Sequence, residues 1–206
     1  MELSLTLTIT ILTGIASFYA WNNPDIMSKW MFNPYTVQKY NEYHRFITSG
    51  FIHKDYIHLL FNLYVFYSFG EIVEYQFIAE FGLLQGRIYF CLLYLLGIIV
   101  SDIPTYLKHR NNSYYNSLGA SGGVSSVLFS FILFFPMAGI APWAIEFLSL
   151  PGIIWGAIYL IYSYFMSKRG GDGINHDAHF FGAAFGIIFT LALLPEIITE
   201  FLASFL

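Results

Sequence analysis

Residues 119–135 read GASGGVSSVLFSFILFF. A serine, Ser121, stands among three glycines at the mouth of an apolar run that continues without a charge to Pro136. A flexible loop end would account for the glycines. So would a nucleophile placed at the start of a helix that a second helix must approach closely, because glycine permits both unusual dihedrals and near contact of backbones. Which reading holds depends on what the rest of the chain brings to the same place.

Working outward, the 206-residue chain is 57% hydrophobic and 20% aromatic but only 11% charged, too little polar surface to coat a soluble globule of this size. Such a composition belongs in a bilayer, where a spanning helix needs about 20 apolar residues. Six segments meet that demand, and the expected helices run over about 3–22, 56–76, 86–107, 120–136, 149–168 and 178–195. One polytopic, all-α transmembrane domain covering 1–206 is the economical architecture. Met1 and Glu2 precede the first run without a basic region or a convincing cleavage site, so the first segment is expected to be retained. The single cysteine, Cys91, cannot pair within the chain. A net charge of -4 supplies no basic stripe for nucleic acid.

The connection after the first span, residues 21–50, mixes Trp21, Trp30, Phe32, Tyr35, Tyr40 and Tyr43 with Lys29, Lys39 and Arg45. That is the chemistry of a segment lying at the membrane interface. Pro136, Pro142, Trp143 and Pro151 mark a second interfacial connection, between the fourth and fifth spans. Eight of the nine Lys and Arg residues fall in the odd-numbered connections, with Arg87 alone in the even ones. By the positive-inside rule this points the odd connections toward the cytoplasm.

Spans alternate in direction, so the starts of the second, fourth and sixth lie at one membrane face. The unusual polar residues gather at those starts: His53, His58 and Asn62, then Ser121, then His176 and His179. Polar side chains inside a span are costly unless they face the bundle interior or a wet cavity. A lone His or Asn often serves as polar glue between helices. His58 and Asn62, however, are four apart on one helical face and can both donate into the same space. On the sixth span His179 precedes Gly182 and Gly186, a GxxxG face suited to tight packing. If that face meets the fourth span, the imidazole reaches Ser121 as general base, and His58, Asn62 and the Ser121 amide become donors to a developing oxyanion. No carboxylate completes a triad: Asp177 is about 200° around the helix from His179, and Asp102 lies at the right face without support. A Ser/His dyad results, with His176 as the competing base.

FIHKDYIHLLFNLYVFYSFG, GASGGVSSVLF and INHDAHFFGAAFG together resemble the three signatures of the rhomboid intramembrane serine proteases. These are a histidine followed by HxxxN, then GxSG, then AHxxGxxxG, in order on alternate spans over about residues 44–190. The resemblance implies a six-transmembrane-helix bundle with a partly membrane-embedded first loop. It implies Ser121 as nucleophile, His179 as base, and His58 and Asn62 as oxyanion residues, with Gly119, Gly122, Gly182 and Gly186 as structural glycines. Arg45 takes the place of the arginine in the family's first-loop Trp-Arg pair, and Glu74 that of its acidic residue at the far end of the second span. His44 stands where the pair has tryptophan, and Ser125 where some bacterial members stack a tyrosine on the catalytic imidazole. What positions His179 is therefore open.

The expected activity is hydrolysis of peptide bonds in or beside transmembrane segments of membrane-protein substrates, with no cofactor, metal or nucleic acid. The family's orientation, preferred here over the charge count, puts the site on the extracytoplasmic side of a prokaryotic plasma membrane. No HExxH is present for a zinc enzyme, and the aspartate of GGDG, 170–173, lacks a second membrane aspartate. The competing readings are an inactive rhomboid-like protein that binds membrane clients and a His-lined transporter.

Overall fold

The computed structural model describes residues 3–141 and 149–206; Met1, Glu2, Pro142 and Trp143 lie outside the described residues. Helix α1, Leu5–Trp21, opens on Ser4, whose hydroxyl oxygen accepts from Leu7 N at 3.1 Å. Its buried face is Thr6, Ile9, Thr13, Ser17 and Ala20, whereas Ile11, Leu12, Ile15 and Phe18 are exposed. Small and hydroxylated residues inside with large apolar residues outside is the inverse of a water-soluble helix. It suits a helix whose outer face meets lipid and whose inner face packs closely on another helix.

Three short helices follow, α2 Pro24–Trp30, α3 Pro34–Tyr40 and α4 Arg45–Thr48, and then a 3₁₀ turn at Ser49–Phe51. Proline opens α2 and α3, where its missing N–H removes nothing from the helical ladder. Arg45 is buried and ties this connection together: Nη1 donates to the carbonyls of Ser28 and Met31, each at 2.7 Å, and Nε pairs with Glu42 at 2.6 Å.

Helices α5, Tyr56–Phe81, and α6, Leu83–His109, are joined at Gly82, whose φ of 79° turns the chain back. Helix α7 is Ser121–Phe134, α8 Gly152–Arg169, α9 His176–Leu193 and α10 Ile197–Ala203. Among the described residues α5, α6 and α9 are long and apolar enough to cross a membrane, and α1 and α7 are shorter apolar helices. Helix α5 outruns its expected end at 76, and α7 stops at Phe134, two residues before Pro136. Among the described residues one pair of short strands interrupts the helices, beside an isolated antiparallel bridge of Phe32 and Ser117. Gly139–Ile140 and Leu150–Pro151 pair antiparallel, giving the backbone partners where prolines stop the helices. The helix α10 had no counterpart among the expected spans.

Glu74, near the far end of α5, is buried. Its carboxylate accepts from Leu5 N at 2.9 Å and from Thr6 N and Oγ1, both at 2.8 Å, and it pairs with Arg87 Nε at 3.4 Å. It thus supplies acceptors for amides that the first turn of α1 leaves outside the helical ladder. That joins α1 to α5.

Helix α7 is enclosed, with eleven of its fourteen residues buried. It meets α6 through Gly122 and Gly123: a Cβ on Gly123 would fall 2.7 Å from the Tyr94 carbonyl oxygen. It meets α9 through Gly182 and Gly186, where a Cβ would fall 2.9 Å from Gly122 Cα and 2.7 Å from Ser126 Cα respectively. Ser126 Oγ spans this contact by donating toward the carbonyls of Gly122 and Gly182, both at 2.9 Å. Gly186→Leu should therefore force α9 off α7 and lower stability by about 1–3 kcal/mol or more. Thermal unfolding in detergent, with Gly14→Leu on the open face of α1 as control, measures the difference; nothing lies within 4 Å of a Cβ at Gly14.

Candidate active site

The chain that delivers Ser121 to the start of α7 is held at successive points. Phe32 and Ser117 exchange backbone hydrogen bonds of 2.9 and 3.0 Å, and Gly119 N donates to Ser49 O at 2.9 Å. Gly119 has φ 118°, and a Cβ there would fall 2.5 Å from His58 Cε1, so dihedral and space both require glycine. The first helical bond of α7 runs from Val124 N to Ala120 O. The amides of Ser121, Gly122 and Gly123 consequently lie ahead of the ladder, at the positive end of the helix.

His53 fixes the residue before Ser121. Ala120 N donates to His53 Nε2 at 3.3 Å, which by the hydrogen-bond network puts the proton on Nδ1. Nδ1 faces Ser17 Oγ at 3.1 Å, and Ser17 Oγ donates to Phe51 O at 3.1 Å. The imidazole is fully buried, and burial, reinforced by the neighbouring His58, pushes its pKa down to about 3. It therefore accepts as a neutral ring.

His58 lies over Gly119 with its ring edge-on to His53, centroids 4.9 Å apart. Its own amide is held by the N-cap Asp55 at 2.8 Å. Asn62 is buried and donates from Nδ2 to His58 O at 2.9 Å. The sequence puts two donors into a common space; the structure turns one Asn62 hydrogen back to its own helix, since a buried amide takes an available acceptor.

At the start of α9, Asn175 caps the helix: Oδ1 accepts from Ala178 N at 3.2 Å and Thr105 Oγ1 at 3.0 Å, and Nδ2 donates to Asp102 at 3.2 Å. Asp177 points away to Lys108 at 3.1 Å. His176 is buried, with Nε2 2.8 Å from Asp172 Oδ2, and this hydrogen bond holds the Asp172 carboxyl below the usual carboxylate range. His179 packs edge-on to His176 at 5.5 Å and is stacked on Tyr159 of α8 at 5.8 Å with 21° between the planes. Tyr159 Oη meets Ser125 Oγ at 2.5 Å. Asp172, Asn175 and Tyr159 were not anticipated from the sequence. Asn175 carries a readable signal, an asparagine directly before a helix; Tyr159 is one of several tyrosines on α8, and nothing local distinguishes it.

Ser121 is half-buried and lines a small polar cavity with Ser49, Ser101, Asp102, Gly119 and Asn175. His179 sits one turn before Gly182, which lies against Gly122, and Ser121 immediately precedes Gly122, so both residues belong to the ends of the two helices that meet at the α7–α9 contact. The two side chains are not hydrogen-bonded to each other among the described residues. Arg45 and Glu74 stand apart, in the first connection and near the far end of α5.

The family model described as the Rhomboid domain matches residues 40–196. The chain belongs to the rhomboid family. The match takes in His58, Asn62, Ser121 and His179, and α1 precedes it. The chain is 26% identical over 152 residues to RHOMBOID-like protein 12, mitochondrial, of Arabidopsis thaliana, covering 70% of this chain and 45% of that protein. It is 29% identical over 156 residues to Presenilin-associated rhomboid-like protein A, mitochondrial, of Danio rerio, and 30% over 156 residues to Presenilin-associated rhomboid-like protein, mitochondrial, of Homo sapiens. Each of the last two matches covers 68% of this chain and 35% of the relative. The rhomboid chain thus spans a third to a half of the length of these curated relatives. With long apolar helices inside the matched domain, it is a multi-pass integral membrane protein.

The His53 contacts make the stability of this rhomboid depend on pH. The folded imidazole protonates at about 3 and the unfolded one near the ordinary histidine value of 6.5, so the unfolded chain binds the extra proton between those limits. This contribution is complete above about 6.5 and is lost as pH falls toward 3. His53→Ala should cost about 1–3 kcal/mol at neutral pH by stranding the Ala120 N–H. Its unfolding midpoint should also fall less steeply than the wild type's between about pH 7 and pH 5.

Proposed function

We propose that this rhomboid is an intramembrane serine endopeptidase that cleaves peptide bonds in or near transmembrane segments of protein substrates. The observation that supports the reading is the glycine-packed contact of α7 and α9, Gly182 against Gly122, with Ser121 at the amide-exposed start of α7 and His179 one turn before Gly182, inside a rhomboid domain. Members of this family are commonly serine proteases.

In the proposed reaction His179 accepts the Ser121 proton as Oγ bonds to the scissile carbonyl carbon. The carbonyl oxygen becomes an oxyanion facing the free amides of α7, with His58 and Asn62 as side-chain donors. Collapse breaks the C–N bond, the proton passes from His179 to the leaving amine, and an acyl-Ser121 ester remains. Water, deprotonated by the same imidazole, releases it. Catalytic hydrogen bonds often tighten only in the enzyme–substrate complex, and the Ser121–His179 bond is expected to form there.

A cavity of about 500 Å³ between Tyr114–Ser117 and the α8–α9 turn shares Ser117 and Asn175 with the small cavity at Ser121. It offers water a route to the ester. A helical substrate must unwind locally, because its peptide bonds are shielded by their own turn. We take α1, α5, α6, α7, α8 and α9 as the six spans, with the first connection partly embedded and the start of α7 facing the extracytoplasmic side of a prokaryotic plasma membrane.

Two experiments test this reading. A fluorophosphonate probe should label the purified protein at Ser121; Ser121→Ala should abolish labelling and substrate cleavage together. His58→Ala or Asn62→Ala should lower cleavage of a transmembrane substrate by about 10²- to 10³-fold. A folded protein that neither labels nor cleaves removes the proposal. For orientation, Cys91→Ser carrying Ser113→Cys should react in intact cells with a membrane-impermeant thiol reagent, and Cys91→Ser carrying Glu80→Cys should not; the reverse pattern inverts the topology.

A further inference from the structure

We infer that Tyr159 is the positioning residue for the His179 imidazole, with Ser125 as its anchor on α7; the inference rests on the hydrolase reading above. A general base must present one ring nitrogen to the nucleophile, and in Ser-His-Asp sites a carboxylate sets that orientation. The nearby carboxylates are engaged elsewhere: Asp177 with Lys108, Asp102 with Asn175 and Asp172 with His176. No hydrogen bond holds the His179 ring among the described residues. The ring contacts it makes among the described residues are with Tyr159 and His176.

Tyr159 lies nearly parallel to the imidazole, with centroids 5.8 Å apart. Two further contacts determine where the phenol ring sits. Its hydroxyl is 2.5 Å from Ser125 Oγ, one turn beyond Ser121 on α7, and its ring packs on Phe129 at 5.7 Å. The backbone beneath is also close: a Cβ on Gly156 would fall 3.1 Å from Ile132 Cδ1 and 3.3 Å from Phe129 Cε1. One turn of α8 later, Tyr162 meets His176 edge-on at 5.4 Å, and His176 in turn meets His179. One face of α8 therefore supports both imidazoles of α9.

Ser125 accounts for the arrangement. A large side chain at that position would occupy the space of the Tyr159 hydroxyl, whereas serine leaves room for the ring and gives it a hydrogen-bond partner. The stack that a residue on α7 could supply from Ser125's position is supplied across the helix interface from α8.

The test uses the full chain in detergent and compares four variants with the wild type. Tyr159→Leu should slow fluorophosphonate labelling of Ser121 about tenfold. Tyr159→Phe and Ser125→Ala, which keep the ring and remove only the tether, should slow it ~3-fold. Ser125→Tyr combined with Tyr159→Leu, which moves the ring to α7, should recover most of the loss. Cleavage of a transmembrane substrate should change in kcat with KM held. As a readout independent of activity, the His179 Cε1–H resonance, assigned by its loss in His179→Gln, should lie upfield in the wild type. It should move downfield in Tyr159→Leu and return in the double variant. Labelling at the wild-type rate with an unmoved resonance in Tyr159→Leu overturns the inference and leaves the hydrolase reading standing. An unlabelled wild type overturns the hydrolase reading, and the resonance then decides whether the ring is stacked. Should Tyr159→Leu fail to fold, the tether variants decide: wild-type rates and resonances in both overturn Ser125 as anchor.

Discussion

The contact between α7 and α9 is the constraint on which the rest of the structure depends. Helices in lipid gain little from hiding apolar surface from one another, so association relies on close packing and on hydrogen bonds between them. Gly182 and Gly186 let the backbone of α9 lie directly on Gly122 and Ser126, and Ser126 Oγ lies between two carbonyls across the seam. Thr190 continues it one turn further, donating to Ser130 Oγ at 2.8 Å. With the interhelical distance set by glycines, the same packing carries Ser121, one residue before Gly122, and His179, one turn before Gly182. Stability and the candidate chemistry are consequently the same structural problem at this seam.

The interior is polar in a particular way. Thr6, Ser17, Ser101, Ser126, Ser130 and Thr190 are buried, yet their hydroxyls find carbonyls, a carboxylate, an imidazole or each other. Such residues are the small, adhesive inner surface of a membrane bundle, and burial alone gives them no functional meaning. Ser121 differs from them in geometry. It begins a helix instead of lying inside one, so no carbonyl four residues back lies within its own helix to take its hydroxyl, and the amides beside it lie outside the ladder.

Much of this could be read from the sequence because it depends on spacing. Apolar runs mark the long helices, i to i+4 spacing puts His58 and Asn62 on one face, and GxxxG marks the packing face of α9. The remainder depends on contacts between distant segments. Tyr159 and His179 are twenty residues apart on different helices, and α8 offers Tyr159, Tyr162 and Tyr164 with no local pattern to choose among them. The use of Asn62 toward its own helix depends on which acceptor lies nearest. Arg45 shows a third kind of limit: the resemblance marks its position, but its acceptors, Ser28 O and Met31 O, are backbone atoms that no side-chain pattern records.

The way His179 is held has a physical logic in a low-dielectric setting. A carboxylate placed against the imidazole would have to be desolvated, a cost that an ion pair recovers only with good geometry and further hydrogen bonds. An aromatic ring fixes orientation without adding a charge. It gives less in return, since it cannot stabilise an imidazolium as a carboxylate does. On the proposed mechanism, charge developing at the active site must then be balanced from the other side, by the α7 amides and by the His58 and Asn62 donors around the oxyanion. That places the electrostatic demand on the segment from Gly119 to Gly123, which His53, Ser49 and Phe32 hold so firmly.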